Sequence, residues 1–249
     1  MPASTHFDFL KQPNHGNIKL WRYMDFTKFV SLISSSSLYF SRADKFQDPY
    51  EGTLPIYNES LKDIIYGLVP ESERERLIKE SKIFKDVMRQ RTYINCWHEN
   101  EFESAAMWDL YGKNNDSIAI ETTYSKLKDS LTDEFCLGMV NYIDYKSMHV
   151  PENNIVSPFM HKRVSFKHEQ EVRALIIKFP EEGDGPIHLY KDNMPAGTSV
   201  QVNLNELINY IHIAPTASPW FYELVKTVAG HYDISAKIMK SDLYESPIH

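Results

Sequence analysis

The sequence predicts an α+β domain built on a mixed or antiparallel central sheet flanked by helices. Three observations lead there. Short stretches rich in Val, Ile and aromatic residues ("LWRYM", "TYINCW", "SIAIETT", "VRALIIKF", "YIHIAP") are separated by turn residues. Stretches with helical spacing fall between some of them but never in a regular βαβ rhythm. Finally, 249 residues that are 42% hydrophobic and 13% aromatic can bury one sizeable core, and no repeat or linker divides them. We therefore expect a polar leader over 1–19 and one domain over 20–249.

Each element has a local reason. "IKLWRYM" reads as a strand, and "DFTKFVSLISSSS" as a helix capped by Asp25. "LYFS" is a strand and "RADKFQDPYEG" a loop, because Asp48-Pro49 and Gly52 oppose regular structure. From Asn58 to about Arg91 the pattern is helical, with the mixed charges of a solvated face. "TYINCW" follows as a strand, "ESAAMWDLYG" as a helix ended by Gly112, and "SIAIETT" as a strand. "CLGMVNYIDY", "VRALIIKF" and "YIHIAP" are further strands, "SPWFYELVKTVAGHY" the last helix and "SAKIMKS" the last strand.

Composition narrows function. A net charge of −7 gives no overall attraction to nucleic acid or to anionic membranes. The two cysteines, Cys96 and Cys136, build neither a metal knuckle nor a disulfide framework. The N-terminal stretch lacks a basic segment followed by an apolar one, and no run of about 18 apolar residues occurs, so the expected compartment is the cytoplasm. Gly-rich phosphate loops, G-x-S-x-G, H-E-x-x-H and C-x-x-C are absent.

Candidate chemistry lies in three clusters. In "SFKHEQEVRALIIKF", strand alternation places Glu169, Glu171, Arg173, Leu175 and Ile177 on one face. The apolar residues beyond Arg173 mark a strand covered on both sides. Two carboxylates about 7 Å apart at Cα would raise each other's pKa or share one cation; the plainer expectation is a salt-bridge cluster with Arg173, Lys167 or Arg163. In "YFSRADKFQDPYEG", Tyr39 and Ser41 share a face, and Asp44, Asp48 and Glu51 follow in a loop whose spacing does not suit a Ca²⁺ site. In "NCWHENEFESAAMWDLYG", Ser104, Met107, Trp108 and Tyr111 share one helix side, a stripe that reads as core for Met107 and Trp108, while His98 sits where a side chain can face a cleft.

Across residues 20 to 245, the stretches "LWRYM", "LYFSRADKFQDPYEG", "CWHENEFESAAMWDLYG", "SFKHEQEVRALI", "IHIAP" and "KIMKSDLY" together resemble a prokaryotic domain of unknown function, number two-nine-seven-one. That resemblance implies no established reaction; members are discussed near toxin and phage-defence genes. The order Arg22, Ser41, Glu169-x-Glu171 before a Val-rich strand is also similar to the Arg, Ser, Glu-x-Glu plan of ADP-ribosyltransferases. That similarity implies NAD as substrate, Arg22 on its phosphates, Ser41 ordering the site, Glu171 stabilising the oxocarbenium-like ribose and Glu169 orienting the acceptor. The serine stretch here is "FSR" rather than Ser-Thr-Ser. The expected cleft is lined by Arg22, Ser41, His98 and Glu171, with Arg173, Trp108 and Glu51 as further substrate-binding candidates, and the expected partner is a nucleotide or other small anion. No metal is assigned in that reading. Two rivals stand beside it: a metal-dependent phosphodiesterase or nuclease using Asp48, Glu51, His98 and Glu171, and a non-catalytic sensor stacking its ligand on Tyr39, Trp97, Trp108 and Tyr111.

Overall fold

In a computed structural model of the chain, residues 2–5, 9–112, 115–179 and 194–247 are described. The expected α+β architecture is present. Strand β1 (Lys19–Asp25) runs into α1 (Phe26–Ser35), whose first turn is capped as expected: the Asp25 carboxylate accepts from the Lys28 backbone N–H. β2 (Ser37–Arg42) follows, then α2 (Ile56–Gly67) and α3 (Glu71–Arg91). The single helical run anticipated from Asn58 to Arg91 is two helices, because Pro70 lacks the N–H that a continuing helix needs and instead opens α3.

β3 (Thr92–Glu99), α4 (Ala105–Tyr111), β4 (Ser117–Thr123) and α5 (Tyr124–Asp129) come next. "CLGMVNYIDY" divides into β5 (Cys136–Met139) and β6 (Asn141–Ile143), which belong to different sheets. β7 (His161–Arg163), β8 (Glu171–Ile177), β9 (Gly197–Gln201), α6 (Leu204–Leu207), β10 (Tyr210–Ile213), α7 (Pro219–His231) and β11 (Lys237–Lys240) complete the described elements.

Seven strands of the main sheet run in the order β11-β10-β4-β1-β3-β2-β9, and β8 pairs with both β3 and β5. Its pairings are antiparallel except β10 with β11, so the sheet is mixed. β3 is the hub. One of its edges carries the whole of β8, from Thr92 opposite Ile177 to His98 opposite Glu171. Its other edge is shared: β2 pairs at Tyr93 and Ile94, and β1 only at His98 and Glu99. The sheet forks there, around Asn95, Cys96 and Trp97.

The larger core packs Phe29, Leu32 and Ile33 of α1 and Phe221 and Val225 of α7 with Leu20, Trp97, Ile118 and Ile120 from the sheet. A smaller one gathers Ala43, Met88, Ile94, Phe159, Met160 and Leu175. The stretch expected as a polar leader is tied down in its described part. Ala3 and Leu10 are buried, Ser4 N–H donates to Phe135 C=O, and Met139 N–H donates to Lys11 C=O. No helix among the described residues is long and apolar enough to cross a membrane.

A buried carboxylate cluster at the fork of the sheet

Residues directly opposite each other in a ladder share a face, so the pairs Trp21–His98 and His98–Glu171 put these three side chains on one side of the sheet, with Cys96 opposite Arg173 on the same side. Glu171 and Arg173 thus alternate as the sequence predicts. Glu169 does not: it ends a 3-10 helix over Val164–Glu169, and Gln170 takes a left-handed conformation (φ 39°) before the strand begins at Glu171. The turn nevertheless swings Glu169 back, and it reaches Glu171 through a shared lysine rather than a shared strand.

That lysine is Lys162 on β7. Its Nζ donates to Glu169 Oε2 at 2.5 Å and to Glu171 Oε1 at 2.6 Å. Arg173, wholly buried, donates through Nε to Glu171 Oε2 at 2.7 Å and through Nη1 and Nη2 to the two oxygens of Glu51 at 2.6 and 2.9 Å. A fourth bond joins Nη1 to the Phe159 carbonyl. Glu51 is delivered by the Asp48–Gly52 turn, where Gly52 is at φ 67° against the Phe159 ring. Next to it Asp48 takes Arg163 Nη2 at 2.7 Å, and that guanidinium lies over Tyr50. The anticipated salt-bridge cluster therefore exists, with Lys162 unforeseen and Arg163 serving Asp48 instead of the glutamates.

Three carboxylates, Glu51, Glu169 and Glu171, face two cations, Lys162 and Arg173. Burial of an unbalanced carboxylate favours its protonated form. Glu169 takes that role: burial, then its bond to Glu171 and the Glu171 charge, push it up to about 7. Burial alone would raise Glu171 too, yet Arg173 and Lys162 hold it well below the usual carboxylate range. Glu51 is raised by burial against the pull of Arg173. The cluster titrates as a unit, with the excess proton on the Glu169 side because Glu51 is gripped by a bidentate guanidinium.

His98 is buried beside this cluster. Its Nδ1 lies 2.7 Å from the Glu169 carbonyl, which can only accept, so Nδ1 carries the proton. Burial lowers its pKa and keeps the ring neutral, and Nε2 is buried with no partner among the described residues. The Cys96 thiol is pushed well up by burial and then by Glu171, and is a neutral neighbour rather than a nucleophile. Tyr142 Oη accepts the Glu171 N–H, and half-exposed Tyr111 has its phenol raised by burial, with Glu169 adding to the effect.

The other predicted site residues fall elsewhere. Arg22 is one step from Trp21 and so projects to the opposite face, with its guanidinium 5.8 Å from the Trp97 ring centroid and donating to the Tyr39 carbonyl at the fork. The expected common lining of Arg22 with Ser41, His98 and Glu171 is thus corrected by strand alternation. Among the described residues Arg22 makes no ion pair with a carboxylate; burial lowers it to about 10, opposed by Cys96. Ser41 shares the face of His98 but lies opposite Ile94, roughly 13 Å farther along β3. Trp108 is not a ligand-facing residue: it is buried edge-on to Tyr23 at 4.9 Å and donates Nε1–H to Glu103.

The metal-binding grouping of Asp48, Glu51, His98 and Glu171 does not assemble, because Arg163 and Arg173 occupy those carboxylates. Among the described residues no three His, Cys, Asp or Glu side chains are grouped to hold a metal ion. No family model, curated protein or solved structure matches the chain.

Proposed function

We propose that the chain is a nucleotide-using enzyme of ADP-ribosyltransferase or NAD-glycohydrolase type, with Glu171 as the carboxylate facing the cationic sugar and Glu169 as its proton-carrying partner. The observation that carries this reading is geometric: two buried carboxyls share one lysine, Glu169 Oε2 at 2.5 Å and Glu171 Oε1 at 2.6 Å from Lys162 Nζ, and their surroundings move their pKa values in opposite directions. Cleavage of a glycosidic bond calls for that pairing: an ionised carboxylate to stabilise developing positive charge, and a carboxylic acid with a pKa near neutrality to exchange a proton with the departing or attacking group. The two oxygens sharing Nζ are at most about 5 Å apart, within the span at which one anomeric carbon reaches both groups.

Arg22 supports a phosphate-bearing substrate. A guanidinium with a lowered pKa and no carboxylate partner among the described residues gains from an anion. Because it emerges on the far face, one ligand uses Arg22 and Glu171 together only by lying in the fork beside Cys96. His98 Nε2, an unprotonated acceptor, adds a place for a hydroxyl donor.

The test is calorimetric titration of NAD with nicotinamide release followed in parallel, for wild type, Glu171→Gln and Arg22→Met. The expected result is binding by wild type and Glu171→Gln, release slowed at least about 100-fold by Glu171→Gln, and weaker binding by Arg22→Met. Absence of NAD binding, or release by Glu171→Gln at the wild-type rate, overturns the assignment.

A further inference from the structure

α2 is an amphipathic helix turned inside out. The side it lays on the protein is polar: Asn58, fully buried, donates to the Val150 carbonyl at 2.8 Å and accepts the Val150 N–H at 2.9 Å, Lys62 pairs with Glu152, and Glu59 receives Lys85 at 2.6 Å. The side it gives to solvent is apolar. Tyr57, Leu61, Ile64 and Leu68 are 41%, 38%, 67% and 84% exposed, flanked by Ile56 and Ile65 at 53% and 59%. At 100° per residue these six fall in one half of the helix circumference, and the charges of α2, Glu59, Lys62 and Asp63, fall in the other. A folded chain does not leave such a face wet without use.

We infer that this face is a homodimer interface, in which α2 packs antiparallel on α2 of a second copy about a two-fold axis between Leu61 and Ile64. The spacing of Tyr57, Leu61, Ile64 and Leu68 is four, three, four, the period of a coiled-coil seam. That spacing reads the same in both directions, so the stripe superposes on itself when turned end for end, which is what an isologous two-fold contact requires. Tyr57 then meets Leu68 of the partner and Leu61 meets Ile64. The six side chains expose on the order of 600–700 Å², so full cover of both copies of the face buries at most about 1,300 Å² from α2 alone, at the lower end of the roughly 1,200–2,000 Å² of specific interfaces. A lipid surface fits less well. Helices that lie on membranes flank their apolar face with Lys and Arg; α2 has one lysine, already paired, in a chain of net charge −7.

Sedimentation velocity and light scattering of the full chain, from low micromolar to about 100 µM, test this. The expected result is a dimer for wild type, and a dissociation constant raised at least about 100-fold by Ile64→Glu with unchanged circular dichroism. Leu68→Gln, at the most exposed of these positions, gives an independent variant that leaves the protomer's own packing intact and is expected to weaken the dimer in the same direction. A wild-type monomer at the highest concentration overturns the proposal, whether or not it sediments with phosphatidylcholine–phosphatidylglycerol vesicles. So does a dimer that both variants leave unchanged.

Discussion

Replacing Arg173 with Met keeps most of the side-chain volume and removes the charge that holds Glu51 and Glu171 together. Four hydrogen bonds are lost, three of them to carboxylate oxygens. Glu51, at 2% exposure, is left without its ion-pair partner, and Glu171 retains only Lys162. Breaking a buried pair from one side costs about 3–5 kcal/mol, about a fifth or more of the roughly 5–15 kcal/mol that holds a domain folded. The expected effect in urea is a midpoint lowered by more than about 1 M at an m-value near 3 kcal/mol/M.

The pH dependence makes this prediction specific. Without Arg173, Glu51 in the folded state titrates well above its unfolded value, so the native state binds the extra proton and stability falls as pH rises. The loss is small near pH 4, where Glu51 is protonated folded or unfolded, and grows towards pH 8. Urea titrations of wild type and variant across that range measure it. A midpoint shift below about 0.3 M, or a larger shift that does not change with pH, would refute the assignment of the cluster's stability to charge pairing.

Two further outcomes follow from the same site. Glu169, raised to about 7, contributes stability that is fully present below its unfolded pKa and is lost as pH rises through the folded value; Glu169→Gln should flatten wild-type stability between about pH 4.5 and 8, which unfolding free energies across that window would show or deny. Gly52→Ala combines an unfavourable φ of 67° with a Cβ placed 2.3 Å from the Phe159 ring, so it should cost more than about 1 kcal/mol by displacing the turn that carries Glu51; unchanged thermal stability would contradict this account of the turn.

Much of the fold is legible in the chain because its signals are local. The Asp25 cap, the Gly112 stop and the apolar run of β8 each act within a few residues. Elements with weak local signals escaped: β7 and β9 are three and five residues of mixed polarity, and exist because a partner strand is there to receive them. The helical run to Arg91 concealed a break because Pro70 fits the first turn of a helix as readily as it ends one.

The candidate site divides the same way. The sequence by itself determined that Glu171 and Arg173 share one face of a covered strand, since alternation is a property of the extended backbone. Trp108 and Met107 as core followed likewise from helical spacing. Only the tertiary structure decided which charges meet. Glu51 reaches Arg173 across 122 positions, Lys162 arrives from a three-residue strand, and a left-handed Gln170 swings Glu169 out of the strand but onto the same lysine. It also put Arg22 across the sheet from Glu171, although both had been expected in one cleft. Charge pairing and burial are set by long-range register: burial pushes both glutamates up, and Arg173 with Lys162 then holds Glu171 down while Glu169 stays raised; neither influence is encoded in the spacing E-x-E.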